Sequence, residues 1–262
     1  MISIVIRNKN EAKALEQTLS ILHKVYFNDF DEIIIVDNNS TDASLEIANN
    51  YKCKIISIDE FTYGKAINLG IENAKNNIVL LLSSHAVPIG ESFFKSVKKR
   101  FDQDHDNSIG GVRFINSIEN YERAVNNDFH VFDGLNYGLM AACAVVNRKV
   151  WENFKFDENL VASEDKEWSD RILKAGFKIL DLNETFFYFS KRTAKGNLKR
   201  WEIETIAHYQ LHQLDYPPKI KIIFSFLSKV TFELTKEYLR KFKNEFNFLL
   251  IKLNLKSKIK SR

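Results

Sequence analysis

Proline and glycine are scarce in this chain of 262 residues, at three and nine respectively. So few breakers exclude a collagen-like or loop-dominated polymer and leave room for long uninterrupted elements. Cysteine is scarcer still: Cys53 and Cys143 stand far apart among apolar or small neighbours, with no CxxC spacing. That argues against a disulfide-stapled scaffold or a cysteine-rich zinc site, and both are read as free thiols in a reducing compartment. Long apolar runs are missing too, since nowhere do about 18 apolar residues follow one another. The opening MISIVIRNKNEA has no basic segment ahead of an apolar one, so neither export nor membrane spanning is expected.

What the chain has is apolar mass and an uneven charge. Hydrophobic residues make up 45%, including 21 phenylalanines, enough for one large domain with a substantial core. Residues 219–262 hold 12 Lys or Arg against 3 Asp or Glu, whereas residues 1–218 hold 26 against 31. A mildly acidic body thus carries a basic tail. Nucleic-acid binding is not expected, because the basic charge is confined to that tail and no recognition module is present.

Short apolar strands alternate with amphipathic segments through the first half. ISIVI precedes EAKALEQTLSILHKV, IIIV precedes ASLEIANNY, CKIISID precedes YGKAINLGIENAK, and NIVLLL precedes ESFFKSVKKRF. Continuous apolar strands between helices predict an α/β fold with a mostly parallel sheet covered on both faces. In such sheets ligands bind beyond the carboxyl ends of the strands. Asn8, Asp37, Asp59 and the group Ser83 to His85 all fall there, so one crevice should collect them. Later, IGGVRF, KILDL and TFFYFS read as strands, and SEDKEWSDRILKAGF as a helix capped by Ser163 and ended by Gly176. A further helix is expected from about Lys199. Pro217 and Pro218 mark a boundary, after which Ile223, Leu227, Val230, Leu234, Tyr238, Phe242 and Phe246 fit one helical stripe.

Taken singly, the polar motifs are ambiguous. Asp37 can accept from a base or ribose, or belong to an ordinary loop. Gly64 and Lys65 at a helix start suit a diphosphate, or form a plain turn. Glu164 and Asp165 open a helix, where acidic residues are stabilised anyway, yet one of them placed at a crevice could take a proton from a hydroxyl.

Together, SIVIRNKNEA, IIIVDNNSTD, GKAINLGIENA, a polar triplet before AVP, and SEDKEWSDRILKAG occur in the order and spacing of the family 2 glycosyltransferases. The resemblance covers about residues 1–195. It implies a Rossmann-like GT-A fold and inverting transfer from a nucleotide-diphosphate sugar to a hydroxyl of a glycan or lipid-linked acceptor. By this likeness Asn8 and Glu11 belong to the first nucleotide-binding loop and Asp37 contacts the base. Lys65 and Asn68 lie beside the nucleotide, Asp165 is the general base, and Glu164 is its neighbour. The resemblance implies a catalytic domain over 1–218, its nucleotide-sugar half about 1–110 and its acceptor half about 111–218. Phe129, His130, Phe132, Tyr137 and Trp168 could stack on an acceptor sugar; core packing is expected for most of them, and Trp168 is kept as the acceptor-stacking residue.

One departure stands out in LLSSHAVP. The family's fourth strand usually ends in Asp-x-Asp, whose carboxylates hold a divalent ion on the diphosphate, and here Ser83 and His85 take those positions. Two explanations stay open. His85 retains a Mn2+ or Mg2+ ion with the diphosphate, or the enzyme is metal-independent and neutralises the diphosphate with Lys191 and Arg192. A third reading makes His85 a neutral strand-end residue, and the lost aspartates leave a catalytically inactive nucleotide-sugar-binding protein as the alternative function. The helical tail over 219–262 either lies on an anionic membrane surface, which would suit a peripheral enzyme of the cytoplasmic face, or packs on protein.

Overall fold

The computed structural model describes residues 1–190 and 193–260, with side chains described to residue 255. In chain order the first elements are β1 (Ile2–Asn8), α1 (Ala12–Val25), β2 (Glu32–Asp37), α2 (Ser44–Asn50), β3 (Lys54–Ser57), α3 (Tyr63–Glu72) and β4 (Ile78–Ser83). Next come β5 (Ala86–Ile89), α4 (Phe93–Asp102), β6 (Ile109–Phe114), α5 (Ile118–Asn126), β7 (His130–Val131), α6 (Gly134–Tyr137), β8 (Cys143–Asn147) and α7 (Arg148–Trp151). The series continues with α8 (Glu164–Lys174), β9 (Lys178–Leu182), β10 (Thr185–Tyr188) and α9 (Ala194–Leu211).

Eight strands form one sheet in the order β3-β2-β1-β4-β8-β6-β9-β7. The first four pair in parallel, β8 runs antiparallel between β4 and β6, and β7 runs antiparallel to β9. The period-two alternation of a strand assigns its side chains to opposite faces. Ile2, Ile4 and Ile6 of β1 join Leu15, Leu19 and Leu22 of α1 on one face. Val5 of the same strand joins Ala66, Ile67 and Ile71 of α3 on the other. Strands apolar at every position are therefore explained by two cores, one on each face, and the expected α/β layering is met.

The register aligns the functional strand ends. Asn8 pairs with Asp37 across β1 and β2, and Arg7 pairs with Ser83 across β1 and β4. A small second sheet pairs β10, the strand expected from TFFYFS, with β5, which carries Pro88. Pro88 is tolerated because β5 has a single neighbouring strand in this pair, with Tyr188 opposite Ala86 and Phe187 opposite Val87.

Two boundaries differ from expectation for local reasons. Ser163 precedes α8 but has φ 62° and makes no side-chain cap, so the helix starts without the expected serine bond. Helix α9 begins at Ala194, earlier than Lys199, because the Thr193 hydroxyl accepts from the Gly196 N–H at 3.1 Å. Gly176, with φ +90°, ends α8 as expected.

The chain divides into two compact units, Met1–Gln213 and Leu214–Arg262. The second consists of α10 (Lys219–Ser228), a π-helical segment Lys229–Leu234 and α11 (Thr235–Lys260). The wide π turn shifts the face on which later residues lie, so the single stripe drawn across 223–246 is offset there. Among the described residues no helix is long and apolar enough to cross a membrane.

Candidate active site

The carboxyl ends of β1, β2 and β4 form the floor of the site. Asp37 is buried and its Oδ1 accepts from Asn8 Nδ2 at 3.0 Å and from the Ser40 hydroxyl at 2.6 Å, while Oδ2 accepts from the Ser40 N–H at 2.8 Å. The loops after β1 and β2 are stapled further: Asn10 Oδ1 accepts from the Thr41 N–H at 2.7 Å, and Asp42 Oδ2 from the Ala12 N–H at 2.9 Å. Desolvation pushes the Asp42 carboxyl up, but hydrogen bonds from Ser44 and from the Ala12 N–H outweigh it and hold the group below the usual carboxylate range. Among the described residues, Asn8 Oδ1 is buried without a hydrogen-bond partner, beside Asp37. Glu11 takes the position just before α1, half-exposed.

The GKAIN motif proves to be a packing device. A Cβ on Gly64 would lie 2.2 Å from the Asp157 carbonyl oxygen, so only glycine lets the first turn of α3 meet that loop. One turn on, Asn68 donates to Phe156 O and Glu158 Oε1, both at 2.9 Å, and accepts from Trp151 Nε1 at 2.9 Å and the Phe156 N–H at 3.0 Å. Both donors and both lone pairs are engaged, which leaves the amide nothing for a nucleotide. The Asn68 expectation is corrected accordingly. Lys65 keeps a half-exposed ammonium, 3.4 Å from Glu60.

Helix α8 opens with Glu164, which is buried, and Asp165, which is half-buried. Asp165 Oδ2 accepts from the Ala141 N–H at 2.8 Å. The next residue, Ala142, accepts from the Ser83 N–H at 2.9 Å, so two consecutive residues tie the end of β4 to the start of α8. Arg7 completes the link, donating to Ala141 O at 2.9 Å and lying 3.4 Å from Glu164 Oε1. Glu164 is 4% exposed. Burial pushes its pKa up to about 7, the Asp165 charge adds to this, and Arg7 opposes it. Near neutral pH Glu164 is therefore about half protonated. Arg7 was missed in the sequence because its partner lies 157 residues away.

Trp168 does not reach the crevice. It is fully buried, stacks on Phe156 at 4.9 Å with 15° between the rings, and donates its indole N–H to Phe154 O. No ring face is left for a sugar, so the acceptor expectation is withdrawn. Phe132 and Tyr137, by contrast, are 75% and 45% exposed.

At the triplet, Ser84 turns into the body, where its carbonyl accepts from the Thr18 hydroxyl at 2.8 Å. Ser83 and His85 share the other side. His85 Nε2 lies 3.1 Å from Ser83 Oγ and 2.9 Å from Tyr188 OH, and the His85 and Tyr188 rings meet edge to face at 4.8 Å. Arg200 of α9 donates to Tyr188 OH at 3.4 Å. Among the described residues no three His, Cys, Asp or Glu side chains gather as a metal site. Two neutral hydroxyls and one imidazole nitrogen already shared between them are a poor donor set for Mg2+ or Mn2+. Lys191 and Arg192 lie outside the described residues.

Comparison with known proteins identifies the scaffold. The family described as glycosyl transferase family 2 matches residues 3–174. A glycosyltransferase of amylovoran biosynthesis from Erwinia amylovora is 24% identical over 230 residues, covering 82% of this chain and 85% of that one. A dolichyl N-acetyl-alpha-D-glucosaminyl phosphate 3-beta-D-2,3-diacetamido-2,3-dideoxy-beta-D-glucuronosyltransferase from Methanococcus voltae is 22% identical over 224 residues, covering 76% and 70%. A mannosyltransferase from Pyrobaculum calidifontis, solved with GDP-Man and Mn2+, superposes with a TM-score of 0.63 at 16% identity, covering 83% of this chain and 65% of that one, a little under two thirds. The GT-A fold expected from the motifs is the fold found.

Proposed function

The chain belongs to glycosyl transferase family 2, and we propose that it is an inverting enzyme moving a hexosyl or deoxyhexosyl group from a nucleotide-diphosphate sugar to a hydroxyl of a glycan or lipid-linked acceptor. The observation that carries this reading is the short tie between Asp165 and Ser83 through Ala141 and Ala142. It brings a carboxylate on a helix N-terminus and the polar end of β4 to one crevice. In the reaction the acceptor oxygen bonds to C1 of the sugar as the C1–O bond to the diphosphate breaks. The bonding pair leaves with the diphosphate, and the acceptor proton passes to Asp165. Glu164, about half protonated near neutral pH, limits the negative charge beside Asp165, and Arg7 holds Glu164 directly and Asp165 through Ala141. Asn8 and Asp37 receive the base and ribose, with Asn8 Oδ1 as an unspent acceptor.

A surface-polysaccharide role at the cytoplasmic face of the membrane is proposed on three supports. The Erwinia relative is named for the biosynthesis of amylovoran, the Methanococcus relative for a dolichyl-linked acceptor, and the tail of this chain is basic and apolar. The test is turnover with UDP-, GDP- and deoxythymidine-diphosphate sugars of known anomeric configuration, with lipid-linked sugars as acceptors and the product read by NMR. An inverted anomeric centre is expected, and a retained one would reject the mechanism. The replacement of two aspartates by Ser83 and His85 favours a second reading, a protein that binds the donor without turnover; tight donor binding with no product would support it.

A further inference from the structure

The metal site implied by the fold family does not fit the residues present, and the same place in the structure holds an alternative. His85 Nε2 is shared by two hydroxyls, at 3.1 Å to Ser83 and 2.9 Å to Tyr188. In either ring tautomer that nitrogen is engaged, accepting from a hydroxyl or donating to one, so it presents no lone pair to a cation without breaking the cluster. Among the described residues no carboxylate takes part. The groups that do are donors: two hydroxyls that can rotate toward an anion, an imidazole, and the Arg200 guanidinium behind Tyr188 at 3.4 Å.

We propose that Ser83, His85, Tyr188 and Arg200 form a metal-independent cradle for the diphosphate leaving group, with Arg200 supplying the positive charge. The inference rests on the glycosyl-transfer reading and deepens it. Tyr188 is fixed where it is by β10: the Phe189 N–H donates to His85 O at 3.0 Å and Tyr188 pairs with Ala86 of β5. Arg200 comes from α9, whose N-terminus is set by the Thr193 cap. Its present counter-charge is Glu204 on the same helix, a solvent-exposed pair that is weak and readily exchanged. A diphosphate offers a planar guanidinium more than that single carboxylate does, since it presents several anionic oxygens for paired hydrogen bonds. When the C1–O bond breaks, the electron pair moves onto the diphosphate oxygen, and donors already in place there stabilise the charge.

Isothermal titration of the full chain with uridine, guanosine and deoxythymidine di- and monophosphates, each in EDTA and in Mn2+, tests this. One diphosphate is expected to bind in EDTA about as tightly as in Mn2+, and more tightly than its monophosphate. Arg200→Ala should weaken the diphosphate about ten- to hundredfold and leave the monophosphate unchanged, because only the former reaches the guanidinium. Tyr188→Phe should act in the same direction more weakly, and Glu204→Gln should preserve or tighten binding. Diphosphate binding that requires Mn2+, or an unchanged di- to monophosphate ratio in Arg200→Ala, overturns the cradle and leaves the transferase reading standing. No binding by any of the nucleotides in either buffer overturns both.

Discussion

At the scale of single residues, the protonation of Glu164 is the feature with the clearest consequence. An acid whose folded pKa is raised from 4.5 to about 7 binds a proton in the native state that the unfolded state has released. Stability therefore falls as pH rises across that window, by about 3 kcal/mol in all for a shift of this size. Glu164→Gln cannot titrate, so the melting temperature of the variant relative to the native chain should climb between pH 5 and 8; a constant difference would show that Glu164 ionises normally. Asp165→Asn removes the proposed base and should lower turnover about 10²–10⁴-fold with nucleotide affinity unchanged by titration. Local pattern places Asp37 at a strand end and Glu164 and Asp165 at a helix start, and the family resemblance alone supplies their expected roles. The sequence could not disclose Arg7 beside Glu164 or Tyr188 beside His85, whose partners lie 157 and 103 residues away and meet only through the sheet. Trp168 misled for the opposite reason: an aromatic on an amphipathic helix has the same spacing whether it faces a ligand or the core.

Among the elements, the contact of α3 with the 154–158 loop shows how a family motif can be packing rather than chemistry. Asn68 satisfies the indole of Trp151 and both backbone groups of Phe156 at once. Asn68→Ala leaves those groups buried without partners, which should cost about 3 kcal/mol or more and lower the melting temperature by roughly 5–10 °C. Differential scanning calorimetry reads this directly; a change within about 1 °C would mean that the loop is held by Gly64 and hydrophobic contact alone. The alternation of strand and helix was legible here because short apolar runs such as IIIV and IVLLL, set between amphipathic segments, suit strands covered on both faces. Strand β5 was not, since a proline inside AVPI normally argues against a strand and is accommodated only in a two-stranded pair. The start of α9 was misplaced because Gly196 reads as a loop, whereas the Thr193 cap carries the helix through it.

For the molecule as a whole, the charge asymmetry separates the body from the tail and gives the tail its proposed partner. Within α11, Phe242, Phe246, Leu249 and Leu253 recur at helical spacing and are exposed, while Lys236, Arg240 and Lys243 recur at the same spacing on another face. Exposed phenylalanines beside a basic face suit the head-group region of an anionic bilayer, where each cation contributes about 1 kcal/mol near the surface. Reversing three of them together, as Lys236→Glu, Arg240→Glu and Lys243→Glu in the full chain, should therefore reduce partitioning to phosphatidylserine vesicles by about a hundredfold or more. Binding of the native chain should weaken steeply as salt rises, because the Debye length shortens to about 8 Å at physiological ionic strength. Co-sedimentation at two salt concentrations, with neutral phosphatidylcholine vesicles as the comparison, distinguishes this from packing on protein. Equal recovery of native and reversed chains with both lipids would reject a membrane role for the tail. A reversed chain that stops sedimenting while its nucleotide affinity is unchanged would assign the basic helix to locating the enzyme at a membrane-held acceptor, and the body to the chemistry.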